Sequence, residues 1–303
     1  MNSKHTNHRD GNEIAAEYDE AICLFLIIFG YLTARMVAEL IRPGDPAGIR
    51  TAQRRLKSLL KRRLVIQTRT DNGIPLYKLT QAGATYLRDL GHKNVPVRGT
   101  RDARVGNSFH RCLSNNFLIY QLAANCQYWT EYQVLQKQSP LDSIEFERTS
   151  MVPDALMDTG AETFWIEAEN SVKSPDRLAR LDRLADYMFG DYNGYSFDHQ
   201  GEPFSVRGMI FICPTEARAR AVARAFANPP RGSMVPERVL IIHAPMTKSL
   251  IWPSEIEKET AYEMAARLGY IDSDTDEDEP EPEQSISDEI DAASDPDGSD
   301  GSS

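Results

Sequence analysis

The chain has 303 residues, 41% hydrophobic and 26% charged, with a formal net charge of −11. That length exceeds an average domain and leaves room for two cores, while the longest apolar run, AICLFLIIFGYL, is short of the ~20 residues a membrane-spanning helix needs. Charge is unevenly spread: residues 271–303 hold fourteen Asp or Glu and no Lys or Arg, so without them −11 becomes +3. The start, MNSKHTNHRDGNE, has no apolar signal core, and Cys23, Cys112, Cys126 and Cys213 form no CxxC pair. These features predict a cytoplasmic protein with no membrane insertion, reduced thiols and no zinc site.

In chain order, residues 1–12 are polar and expected to be disordered. A first domain is expected over residues 13–92. It opens with a helix over Tyr18–Tyr31, then one over Ala34–Ile41 with Thr33 as its N-cap. After the breaker RPGDPAG, IRTAQRRLKSLLKRR reads as a third helix, with Ile49, Ala52, Leu56, Leu59 and Leu60 on one face. LVIQTRT and IPLYKLT, joined by Asp-Asn-Gly, read as a hairpin, because Asn-Gly accepts the positive φ angles of a type I′ turn. A short helix follows Thr80.

Three helices and a hairpin are the composition of a winged helix-turn-helix. On the third helix Arg50, Gln53, Arg54, Lys57 and Lys61 recur at helical spacing opposite the apolar stripe, and Gly48–Arg63 holds seven basic residues and no acid. That face suits phosphates and base edges in a major groove. Arg69 and Lys78 on the hairpin add positive charge beside it. The competing reading is a solvated basic face on a packing helix.

Residues 93–106 read as a linker. The second domain, 107–270, is expected to run helix 108–126, strands Tyr128–Leu135, Met151–Asp158 and Thr163–Glu169, helix Pro175–Phe189, then strand, helix and strand. This is an α+β chain with a mixed sheet flanked by helices. Residues 271–303 are too acidic and too poor in large apolar groups to fold.

Within VPDALMDTGAETFWIEAEN, strand alternation places Trp165, Glu167 and Glu169 on one face, the two acids about 6.5–7 Å apart. An antiparallel neighbour would bring Asp154 beside them. Three carboxylates from two adjacent strands form the oxygen-rich set that Mg²⁺ or Mn²⁺ favours. The competing reading is three solvated acids on a half-exposed sheet.

Pro153-Asp154, a twelve-residue gap and Glu167-Ala168-Glu169, followed by a helix, resemble the PD-(D/E)xK nuclease superfamily in its form with Glu in place of Lys. More narrowly, Arg54-Arg55-Leu56, Tyr77-Lys78-Leu79-Thr80 with Gly83 and Leu87, Trp129 to Glu131, Pro153-Asp154-Ala155, Trp165 to Glu169, and Arg183-Leu184 with Tyr187 resemble the replication-relaxation and MobC-type plasmid mobilisation proteins over roughly residues 15–245. The resemblance implies a site-specific DNA-nicking relaxase at a plasmid transfer or replication origin. On this reading Asp154, Glu167, Glu169 and Arg183 are expected in catalysis, the three acids with Glu131 on Mg²⁺ or Mn²⁺, and Arg180 and Arg183 on the phosphate. Expected partners are double-stranded DNA, a conjugation coupling protein met by the acidic tail, and a second copy in a homodimer.

The chain departs from that pattern in two places. No Glu lies on the helix after Asn107, with Glu131 as the substitute, and Arg183 stays charged where a Lys would exchange a proton. The six histidines form no His-x-His cluster, which argues against the histidine-cluster relaxase type. Tyr187, Tyr192, Tyr195 and His110 are read as core or surface residues before catalytic ones. A non-catalytic DNA-binding regulator with a degenerate nuclease fold, or a defence nuclease, are the competing functions.

Overall fold

The computed structural model describes residues 10–70, 72–103, 108–122, 126–141, 151–170, 175–190, 196–199, 202–227, 235–247, 250, 252–253 and 256–270. The expected disordered tail, Tyr192 and Tyr195 lie outside them.

The N-terminal part forms α1 (Gly11–Phe29), α2 (Ala34–Ile41), α3 (Gly48–Lys61), the hairpin β1 (Val65–Arg69) and β2 (Pro75–Leu79), and α4 (Gln81–Asp89). α1 starts seven residues before the expected position because Asp10 caps it, accepting from the Asn12 amide at 3.1 Å. Thr33 caps α2 as its sequence predicts, accepting from Met36 N at 3.2 Å. Strands β1 and β2 pair antiparallel from Val65–Leu79 to Arg69–Pro75.

The remainder comprises α5 (Ser108–Gln121), β3 (Gln127–Thr130), α6 (Glu131–Leu135), β4 (Ala155–Asp158), β5 (Thr163–Ala168), α7 (Pro175–Ala185) running into a π-helical turn (Asp186–Gly190), β6 (Ser196–His199), β7 (Glu202–Cys213), α8 (Glu216–Phe226), α9 (Val235–Arg238), β8 (Val239–His243), β9 (Glu257–Thr260) and α10 (Ala261–Arg267). The strands form a seven-stranded mixed sheet in the order β3-β4-β5-β7-β8-β9, with β6 paired to the first residues of β7. β3, β4 and β5 form an antiparallel meander; β7 and β8 run parallel to β5, as a helical crossover through α7 allows, and β9 closes the edge antiparallel.

The expected strand Tyr128–Leu135 is half strand and half helix. Thr130 and Gln133 form a reciprocal capping box, and the satisfied amides turn EYQVL into α6. β6, α9, β9 and α10 are additions to the expected order.

Each face of the sheet is buried. Ala155, Met157, Ile166, Ala168, Ile210 and Ile212 share one core with α1, α2, α5 and the hairpin. On the other face Leu156, Trp165, Met209, Phe211 and Ile241 pack with Leu181, Leu184, Val222, Phe226 and Met264 from α7, α8 and α10. The first core therefore runs from the N-terminal helices into the sheet, and residues 1–271 make one compact unit.

Residues 93–103, expected as linker, are docked. Thr100 is fully buried and exchanges two hydrogen bonds with Leu79: the Leu79 amide donates to Thr100 Oγ1 at 2.9 Å, and the Thr100 amide donates to Leu79 O at 3.1 Å. The polar composition that reads as a linker is here used to extend the edge of β2.

Candidate functional site

α3 presents two kinds of basic residue. Arg50, Gln53, Arg54, Lys57 and Lys61 are all exposed, while Thr51, Ala52, Leu56 and Leu59 are buried, as the helical period predicts. Arg55 and Arg62 are committed inward. Asp19 of α1, 1% exposed, accepts from Arg55 Nε at 2.8 Å and Nη2 at 2.5 Å, and from Arg62 Nη1 at 2.7 Å. Arg62 also lies over the Tyr86 ring. This clamp fixes α3 against α1 and leaves the outer basic face free of acids from its own helix. Acids at the head of α1's apolar run, Asp19 among them, with arginines on a later helix, were the available signal for it.

On the hairpin, Arg69 is exposed and donates to the Gly73 carbonyl at 2.7 Å. Lys78 corrects the expectation that it faces DNA. It is 7% exposed, and its ammonium donates to the carbonyls of Ala103 and Arg101, because docking of residues 99–103 covers that side of β2. Burial, and then the nearby Arg111 charge, lower its pKa.

The three acids of the sheet are all buried: Asp154 at 6%, Glu167 at 0% and Glu169 at 2%. This removes the solvated-acid reading. The β4–β5 register pairs Ala155 with Ile166, so Asp154 comes opposite Glu167, and the Asp154 amide donates to Ile166 O at 2.9 Å. Asp154 Oδ2 accepts from the Ala168 amide at 2.7 Å. Glu167 Oε1 accepts from Trp165 Nε1 at 2.8 Å, and the Glu169 amide joins the ladder by donating to Ile212 O at 2.8 Å.

His110 is the side chain that sequence reasoning set aside. α5 brings its Nε2 to 2.7 Å from Asp154 Oδ1, with Nδ1 3.2 Å from Asn170 Oδ1. Helix and strand are far apart in sequence, so its polar position on an otherwise buried helix was the available hint. One residue on, Arg111 donates to Glu131 Oε2 at 2.5 Å and lies over the Tyr31 ring. Burial alone would lower the pKa of Arg111, but its bond to Glu131, with the charges of Glu131 and Asp154, raises it. Glu131 is thus engaged by Arg111, beside a pocket of about 450 Å³ that also meets Asp102, Tyr132, Leu135 and Val152.

Arg180 and Arg183 are exposed, because α7 turns Leu181, Leu184 and Ala185 to the sheet. The Arg183 charge acts on Asp182. Arg183 was expected beside the acids; the helix face that anchors α7 leaves its side chain exposed. Tyr187 is exposed as well.

Three carboxylates supply the hard oxygen donors that suit Mg²⁺ or Mn²⁺. Their side chains do not converge on one point: among the described residues no three His, Cys, Asp or Glu are grouped to hold an ion. Among the described residues no helix is long and apolar enough to cross a membrane.

Helical bundle, hairpin and mixed sheet mark a class of α+β proteins with a basic helix on one part and buried acids on the other. The replication-relaxation family model matches residues 26–193, more than half of the chain, so the protein belongs to the replication-relaxation family. That membership suggests a role in plasmid replication or mobilisation, and with it DNA. No curated protein and no solved structure matches the chain.

Proposed function

We propose that this protein is an origin-binding DNA nickase, in which α1–α4 and the hairpin act as a winged helix on duplex DNA and the sheet carries a PD-(D/E)xK-like centre. The observation that supports it most is the exposed Arg50, Gln53, Arg54, Lys57 and Lys61 face, held outward by the Asp19 clamp. Phosphate contacts would come from its Arg and Lys side chains, with Arg50, Gln53 and Arg54 able to reach base edges. Asp154, Glu167 and Glu169 supply the carboxylate oxygens that Mg²⁺ or Mn²⁺ favours, and would have to draw together to hold such an ion, since they are not grouped around one point in this structure. The chain's own contribution is to hold Asp154 through His110 and the Ala168 amide, and Glu167 through Trp165.

A second reading, a non-catalytic DNA-binding accessory protein, is favoured by one observation: Asp154 and Glu167 already accept internal hydrogen bonds, and among the described residues no three such side chains are grouped to hold an ion. The deciding experiment is nicking of supercoiled plasmid carrying the gene's flanking DNA, with Mg²⁺, Mn²⁺ or chelator, for wild type and Asp154→Ala. Asp154→Asn serves as a better-folded companion. Metal-dependent open circles lost in both variants are the expected result. Tight binding without nicking would move the protein to the accessory class.

A further inference from the structure

The connection between the basic helix and the carboxylates is a packed interface rather than a tether. Gly99 sits at φ 65, and a Cβ there would come within 2.6 Å of the Leu79 and Thr80 carbonyls. That close approach lets Thr100 pair with Leu79 and carries Ala103 to the Lys78 ammonium. A second seam joins α1 to β3 and α6. Gly30, at φ 74, lies under the Tyr132 ring, where a Cβ would stand 3.1 Å from ring carbons. Thr130 donates its hydroxyl to Ile28 O, and Phe29 stacks 5.7 Å from Tyr128. The same short segment reaches the acids, because the Glu131 amide donates to Asp154 O at 3.0 Å. Leu32 pairs with Tyr77 through an isolated bridge, closing the path from α2 to the hairpin.

We propose that these two seams hold the α3 face and the Asp154 site at one fixed separation, so that the site meets DNA at a single set offset from the base pairs that α3 reads. The inference rests on the DNA-binding reading above and specifies how it selects a strand position. A swinging domain on an open linker would instead reach a range of phosphates. The buried Lys78, Thr100 and Thr130 leave no such freedom, since separating the seams would strip each polar group of its partner.

The test uses tethered DNA cleavage, which does not depend on the protein's own chemistry. Full-length protein carrying Cys126→Ser and Leu135→Cys takes an iron–EDTA reagent at position 135, an exposed site on α6 four residues beyond Glu131. The probe is a duplex selected from a randomised pool by the wild-type protein, cut with ascorbate and peroxide and mapped beside the footprint. The expected result is one narrow cluster of cuts at constant offset from the protected bases. A Gly-Ser insertion of roughly eight residues between the exposed Lys93 and Asn94 should leave that cluster in place, although it adds about 16 Å of chain reach. That is enough for a tethered domain to blur the cuts by about five base pairs.

Broad cutting by the parent protein, or a cluster that spreads on insertion, would overturn the proposal. Narrow cutting with no native nicking would sustain it while removing the nickase reading. Failure of the wild-type protein to select any duplex would remove both.

Discussion

His110 on α5 and Asp154 just before β4 meet at 2.7 Å, Nε2 to Oδ1, across 44 residues of chain. The other Asp154 oxygen holds the Ala168 amide. Asp154→Ala therefore leaves a backbone donor and a ring nitrogen without their acceptor inside the protein. Chemical denaturation should show a loss of about 1–3 kcal/mol. Asp154→Asn, which keeps one acceptor oxygen, should lose less, and equal stability of all three proteins would show that these contacts carry no weight.

The two kinds of basic residue on α3 should separate in a salt titration. In the proposed DNA interface Lys57→Ala would remove one phosphate contact, so the slope of log K against log salt should fall in magnitude by about 0.9. Arg55→Ala should leave the slope unchanged but destabilise the fold by roughly 2–3 kcal/mol, because the buried Asp19 keeps only Arg62. A slope change in Arg55→Ala would place that side chain on DNA instead.

Thiol reactivity tests the first core directly. Burial pushes the Cys23 and Cys112 thiols up to about 12, and Cys213 is buried too. Only the half-buried Cys126 should react quickly with a thiol reagent near pH 8. One label per folded chain and four in denaturant are expected; rapid labelling of two or more in the folded protein would show that the core opens.

Asp182 on α7 gives a pH signature. Burial first, and the Asp186 charge second, raise its pKa above the ordinary 3.8, with Arg183 opposing them. Between the unfolded and the raised folded value the folded chain binds more protons, so this group costs stability as pH rises through that window. Asp182→Asn should be more stable near neutrality by about 0.5 kcal/mol. The gain should vanish below the ordinary value, and a gain independent of pH would assign the effect to something other than charge.

The local elements were legible where periodicity or capping is strong. Thr33 marks the start of α2, and the alternating burial of α3 follows from its sequence. That Asp154 stands opposite Glu167 across an antiparallel strand pair was legible through strand alternation. α6 was missed although Thr130 and Gln133 spell its capping box, because EYQVL also has the aromatic and branched residues of a strand. Thr260 and Glu263 likewise spell the cap of α10. His110, Lys78 and Asp19 could not be assigned from local pattern, since each is defined by a partner from a distant element. Residues 93–103 misled for a related reason: Gly, Pro and Thr mark open chain unless another strand's carbonyls lie within reach.

The family match stops at residue 193, whereas β7, the parallel partner of β5, begins at Glu202. A fragment trimmed to the family limits would expose the backbone of Thr163–Ala168 as a raw strand edge, with Trp165 and Ile166 uncovered beside it. Such an edge is a template for pairing with other chains. Self-association of that piece in the test tube would therefore reflect a missing strand rather than a native dimer, and expression boundaries should extend through β9 and α10.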